Sequence, residues 1–178
     1  MPEFESPFAL KKTQPEEERL LLLGFSLGDQ SYALEVPSLR EIVRIPKIFS
    51  VPRAPAFIKG VIDLRGEIVP VIDLRERFGL GTVDLAKGRI IICVPGFQPA
   101  GFLVDRAREV FSAARQDVKE TPGMLHETVM PFVKGMVHSK DNLYYILHAS
   151  LLLTEKEQEA LAATRNWKKA PSHGRKRK

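Results

Sequence analysis

Acid–base catalysis needs a carboxylate placed within reach of a second titratable group. Asp63, Asp73, Asp84, Asp105 and Asp117 have no sequence-local base beside them, so none reads as a general acid or base. Asp73 reads instead as a helix N-cap, with Glu76 three residues on in the place of a capping-box partner, and Asp63 as a polar residue on a hairpin. The four histidines, His126, His138, His148 and His173, are the candidate metal ligands. A two-residue turn at Lys140-Asp141 pairs His138 with Leu143 and sets His148 opposite Val133, so that hairpin alone does not gather two imidazoles. Gly79-Leu80-Gly81 follows a helix rather than opening one, which argues against a phosphate cradle. Ser26, Ser31 and Ser38 lack the strand–turn–helix setting of an activated serine. The sequence therefore predicts no enzyme, no cofactor and no metal site.

What remains is recognition chemistry, concentrated in Phe57 to Leu80. Two apolar runs, Val61 to Leu64 and Ile68 to Ile72, flank Arg65-Gly66, and Gly66 supplies the positive φ of a tight reversal. The turn holds an arginine outward beside apolar surface. Gly79 is placed to end the short helix after Asp73 in a left-handed conformation.

Around this hairpin the pattern is of short strands between turn signals. Leu20 to Leu27 and Ser31 to Val36 form a first hairpin about Gly28-Asp29. Glu41 to Ile45 is extended, Ile48 to Val51 leads into the proline-punctuated PRAP segment before Phe57, and further strands are predicted at Arg89 to Val94 and Gly101 to Val110, with GFQPAG between them. Thr154 with Glu157 marks the start of a C-terminal helix running to about Trp167. Residues 1–18, rich in Glu and Pro, are expected to be a flexible arm and residues 166–178 a disordered basic tail; residues 19–165 lie between them.

Laid on itself at an offset of 75, the chain places Phe57-Ile58-Lys59-Gly60 on Phe132-Val133-Lys134-Gly135, and Arg65-Gly66 on Lys140-Asp141. Either amphipathic hairpins simply look alike, or the chain holds two related lobes, each organised about one copy of the hairpin. Small barrels are the natural architecture for strands of this spacing.

Charge is unevenly distributed. The net charge of +5 falls to about −2 when the seven basic residues from Arg165 to Lys178 are set aside, so the body is mildly acidic. The tail offers an alternative function, binding nucleic acid or an anionic membrane. It carries one aromatic, Trp167, and no further stacking residues, which equally fits a solvated charged tail. The single cysteine, Cys93, sits in an apolar run and reads as a buried thiol suited to a reducing compartment. The N-terminus lacks the basic start and apolar core of a signal peptide, and no apolar run reaches membrane-spanning length, so a cytoplasmic location is expected.

With these residues in view, the chain resembles the CheW family of chemotaxis coupling proteins from about Leu20 to Leu161. PAFIKG, LRG and IVPVIDLR stand in the family's order and spacing, supported by LGDQSYALEV, LREI, the Val104-Asp105 pair and Phe132 to Gly135. The resemblance implies a mainly β fold of two packed, intertwined SH3-like five-stranded barrels with short helices and a C-terminal helix. It implies a non-catalytic adaptor that bridges the cytoplasmic helical hairpin of chemoreceptors to the regulatory domain of a CheA-type histidine kinase, associated with receptor arrays through these partners. By the same resemblance, partner contacts fall on Leu39, Glu41, Gly60, Arg65 and Gly66. Arg65 is then suited to pair bidentately with a carboxylate on a helical partner, with Leu39 and Val69 supplying apolar contact. His148, where many relatives carry Asp or Asn, and the basic tail depart from the family pattern. The pathway, whether swimming, gliding, pili or development, is left open.

Overall fold

The apolar run after Glu18 forms β1 (Arg19–Leu27), and Gly28, at φ 58°, reverses the chain into β2 (Gln30–Glu35). Pro37 sits in a 3-10 turn that stops β2 and leads to β3 (Leu39–Arg44). The central hairpin is β4 (Ile58–Leu64) and β5 (Glu67–Asp73), followed by the short helix α1 (Leu74–Arg77). β6 (Arg89–Cys93), β7 (Ala100–Val104) and β8 (Arg106–Ala114) come next, then the second hairpin, β9 (Val133–Ser139) and β10 (Asn142–Leu147), and the helix α2 (Glu155–Thr164). This computed structural model describes residues 17–96, 98–123 and 125–164. The expected arm, apart from Glu17 and Glu18, and the expected tail lie outside the described residues, as does the predicted helix end at Trp167.

The strands form two five-stranded sheets, ordered β8-β1-β2-β10-β9 and β3-β6-β7-β5-β4. The two orders superpose when β1-β2 is matched to β6-β7, β3 to β8, and the hairpin β4-β5 to β9-β10. Each half of the chain therefore lends its last three strands to the other half's hairpin. Parallel pairing at the exchange, β2 with β10 and β5 with β7, joins the lent strands to their hosts. The repeat at offset 75 is thus a repeat of structure, and the architecture is mainly β with two packed SH3-like lobes.

Each sheet encloses its own small core: Ile62, Val69, Val71, Ile90 and Leu103 in one lobe, and Leu22, Ala33, Val137, Tyr144 and Ile146 in the other. A larger core lies between them. Leu23, Phe25, Tyr32 and Leu34 from the first hairpin meet Ile72, Ile91, Phe102 and Val104 from the other sheet, closed at one side by Phe78 and Leu152. Strands buried on both faces need continuous apolar sequence, which explains the unbroken runs in β5, β6 and β7. Cys93 is fully buried in this shared core, and burial pushes its thiol up to about 12.

Two local expectations change. The strand expected over Gly101 to Val110 breaks at Asp105, because the chain there leaves one sheet for the other; Asp105 Oδ2 accepts the Gly28 N–H at 2.5 Å and fixes the crossing. Phe49 pairs with Val61, through two 2.8 Å backbone bonds. A bulge after Ile146 puts Leu147, not His148, opposite Val133.

The Phe49 contact explains Gly60. Its φ is 144°, and a Cβ there would lie 2.1 Å from the Phe49 carbonyl oxygen. Gly66, at φ 88°, has nothing within 4 Å of the same position. Gly60→Ala is expected to cost about 3 kcal/mol of stability, through strain and loss of the Phe49 bridge, and Gly66→Ala only about 1 kcal/mol. Urea unfolding of the two variants checks the order; equal losses would contradict it.

Candidate functional site

The turn between β4 and β5 is tighter than glycine alone requires. Arg65 also takes a positive φ, 53°, beside Gly66 at 88°, a conformation costly for a residue with a Cβ and often kept at functional positions. Asp63 braces it by accepting the Gly66 N–H at 2.8 Å. The Arg65 side chain is two-thirds exposed.

The guanidinium is already paired. Arg65 Nη2 donates to Glu41 Oε1, and Nη1 to Oε2 at 3.3 Å, a two-pronged contact with an acid on β3. Arg40 extends it, with Nη2 2.8 Å from Glu67 Oε2 and Nε 3.6 Å from Glu41 Oε1. Charges alternate along Glu67, Arg40, Glu41 and Arg65, and the cluster is neutral overall. Since β3 and the β4–β5 hairpin stand at opposite edges of their sheet, these side chains clasp the two edges together where no backbone bonds do. The arginine is held outward on the turn, and its first counter-ion is internal.

Of the other expected site residues, Leu39 is half-buried and packs against the shared core. Glu41 carries the clasp, and Gly60 is buried in β4 against the Phe49 carbonyl, where only a glycine fits. Val69 is fully buried inside its lobe, packed with Ile62 and Leu103, so it offers no apolar surface to a partner. The continuous apolar run of β5 hides which of its residues face inward. The exposed apolar residue beside the clasp is Ile42, at 43%. Strand alternation points to it, since Glu41 and Ile42 lie on opposite faces of β3.

A second feature escapes an ungapped comparison. Arg108-Glu109-Val110 on β8 occupies the place of Arg40-Glu41-Ile42 on β3, but 68 residues later rather than 75. Lys140, in the second hairpin's turn at φ 54°, donates to Glu109 Oε2 at 2.6 Å. The second lobe thus keeps the clasp with Lys in place of Arg, and Val110, 54% exposed, repeats Ile42. Lys140 is held protonated above its usual range by the Glu109 hydrogen bond and charge.

Near the contact of the two lobes, Arg77 lies over Phe57 at 4.1 Å and Phe132 at 5.3 Å, the residues matched by the repeat. Its Nη1 donates to Glu157 Oε1 at 2.9 Å. Glu157 and Thr154 form the predicted capping box, Thr154 N–H to Glu157 Oε2 at 2.7 Å and Glu157 N–H to Thr154 Oγ1 at 3.2 Å. α2 is thereby tied to both hairpins. No group of three or more metal-ligating side chains occurs among the described residues, and no described helix is long and apolar enough to cross a membrane.

A sheet edge that carries ion pairs on one side and an exposed β-branched residue on the other has the chemistry of a contact surface, and the exchanged pair of SH3-like lobes is its scaffold. Comparison with known proteins specifies the family. The family model for the CheW-like domain matches residues 21–157, and the chain belongs to that family. It is 28% identical to the chemotaxis protein CheW of Treponema pallidum, over 82% of this chain and 89% of the relative. Identity to the Helicobacter pylori CheW is 32%, covering 80% and 86% of the two chains. The crystal structure of the scaffolding protein TtCheW from Thermoanaerobacter tengcongensis superposes with a TM-score of 0.70 at 32% identity, covering 82% of this chain and 94% of that one.

The hydrogen bonds from Arg65 hold the Glu41 carboxyl below its ordinary value of 4.5. A carboxyl depressed on folding lends stability that is present above its ordinary value and is lost as pH falls through the depressed one. Carbon-detected NMR titration should therefore find Glu41 ionised below pH 4.5, and Arg65→Ala should return its midpoint towards that value. An unmoved midpoint would show that the clasp is absent in solution.

Proposed function

We propose that this chain is a non-catalytic, cytoplasmic adaptor that couples the helical hairpin of chemoreceptors to the regulatory domain of a CheA-type histidine kinase, in chemotaxis or a related motility pathway. The observation that carries the reading is the clasp of Arg65, Glu41, Arg40 and Glu67 beside exposed Ile42, in a chain of the CheW-like family. A rigid edge of this kind suits protein contact. Its charges are pre-oriented, so little side-chain freedom is lost on docking, and Ile42, on the other face of the same edge strand, supplies apolar area. Arg65 engages Glu41 through two of its five N–H donors, which leaves donors for a carboxylate on a helical partner. Leu39, Gly60 and Gly66 serve by shaping the edge, and Val69 by supporting it from within.

An adaptor acts by proximity. Two modest interfaces on one body raise the local concentration of kinase beside receptor without any chemical step. The paired lobes provide room for two such contacts.

Arg65→Glu tests the reading. It replaces the attraction to Glu41 by repulsion on an exposed turn, so the fold should persist while partner affinity drops by about 2 kcal/mol, roughly thirtyfold in Kd. Binding of purified receptor fragment and kinase regulatory domain, measured by titration calorimetry, gives the readout. Combining it with Glu41→Arg restores an internal pair with the signs exchanged, and binding should stay weak if Arg65 meets a partner acid directly. Unchanged affinity in the single variant would refute the assignment of Arg65.

A further inference from the structure

The acids of the described body are mostly matched by nearby cations. Glu35 meets Lys134, Glu76 meets Lys59, Glu109 meets Lys140 and Glu157 meets Arg77. Lys87, Arg106 and Arg108 are among the cations that form no ion pair with an acid of the described residues. All three line an open groove of about 340 Å³ beside the Asp105 crossing, where the approach to β6 meets the start of β8. Arg106 and Arg108 are exposed and, two apart on a strand, project from the same face. Ser26 and Gly28 form its wall on the side of β1.

The groove also contains two carboxylates, and their bonding differs from that of the cations. Asp105 is engaged through Oδ2, which accepts the Gly28 N–H at 2.5 Å and Arg75 Nη1 at 3.4 Å. Asp84 Oδ1 accepts the Ala86 N–H at 2.9 Å. Each keeps a second oxygen with acceptor capacity. A ligand that fills the groove must therefore bring negative charge for three cations and hydrogen-bond donors for these oxygens.

We propose that this groove is a docking site for an acidic polypeptide segment of a protein partner. A peptide carries both requirements along one chain, Glu or Asp carboxylates for Lys87, Arg106 and Arg108, and backbone N–H groups for Asp84 and Asp105. A phosphodiester group has the charge but no donor, and meets the two carboxylates with repulsion. The groove lies apart from the Arg65 clasp and does not rest on the receptor and kinase reading. In strand terms, Arg89, at the mouth of β6, is three residues from Ile92, which pairs with Glu41, or roughly 10 Å.

The test uses the full-length chain and a fluorescein-labelled peptide of alternating Glu and Ser, followed by anisotropy at low salt. Binding should weaken as salt is added and be absent for the Gln-Ser peptide. Arg106→Gln with Arg108→Gln should weaken it about tenfold or more, since it removes two charge-assisted contacts, and Lys at both positions should retain most of it. Circular dichroism checks that each variant stays folded. Neutralising Arg175, Lys176, Arg177 and Lys178 to Gln separates the groove from the tail, and should leave most of the binding. The proposal is overturned if the groove variant binds like the parent, if the tail variant alone abolishes binding, or if inorganic pyrophosphate displaces the peptide at equal charge concentration.

Discussion

The exchange of strands between the two halves of the chain is the constraint from which the rest of the structure follows. One sheet is the contiguous run β3 to β7, and the other is made by the segments that flank it, β1 and β2 completed by β8 to β10. The apolar outer faces of the sheets then close on each other, burying Phe25, Tyr32, Ile72 and Phe102 together. Separating the lobes would expose that core, so the molecule has one cooperative unit where the sequence shows two repeats. The crossing at Asp105 and the continuous apolar strands are consequences of the same arrangement.

A few polar side chains hold the crossovers in place. Asp73 is fully buried, yet its Oδ1 accepts the Arg75 and Glu76 N–H groups at 2.9 and 3.2 Å, and its Oδ2 accepts Val83 N–H at 3.0 Å. Lys59 stands 3.7 Å away. One carboxylate thus caps α1 and pins the loop that returns towards β6. Glu76 does not complete the capping box that its position suggests; it turns to Lys59 at 2.9 Å, while the Asp73 N–H donates to the Phe57 carbonyl at 2.7 Å. Non-local partners outcompeted the local motif, because the N–H that Glu76 would have reached was already satisfied. Arg77, between Phe57 and Phe132, performs the equivalent service for α2.

Apart from the single bridges Phe49–Val61 and Lys119–Met136, the two outer strands of each lobe have no backbone pairing on one side among the described residues, an arrangement that invites unwanted pairing. The clasps answer it. Arg65 to Glu41 in one lobe and Lys140 to Glu109 in the other join a hairpin turn to the opposite edge. As exposed ion pairs they add little to stability. Their larger effect is geometric, fixing charged groups at defined positions beside Ile42 and Val110. The two copies differ in ways that matter for recognition. Arginine offers a planar fork and sits in a turn with both residues at positive φ, whereas lysine offers a point charge in a turn where only Lys140 is so placed.

Much was legible in the sequence because its signals are short-range. The turns at Gly28, Gly66 and Lys140, the caps at Asp73 and Thr154, the buried Cys93 and the repeat of the hairpin follow from backbone sterics, hydrogen-bond valence and apolar patterning within a few residues. The mainly β, two-lobe fold and the family followed from their order along the chain. What tertiary structure alone decided is pairing across distance: that the halves exchange strands, that a strand breaks at Asp105, that Arg65 is answered by Glu41, and that Glu109 repeats it under a shifted offset. Val69 belongs with these. In a strand buried on both faces no alternation distinguishes inside from outside, so its place in the core was set by the neighbouring sheet. The sequence determined which elements form, because local energetics select them. Which edges and charges meet was decided by long-range packing, where the partner's position is written in a distant part of the chain.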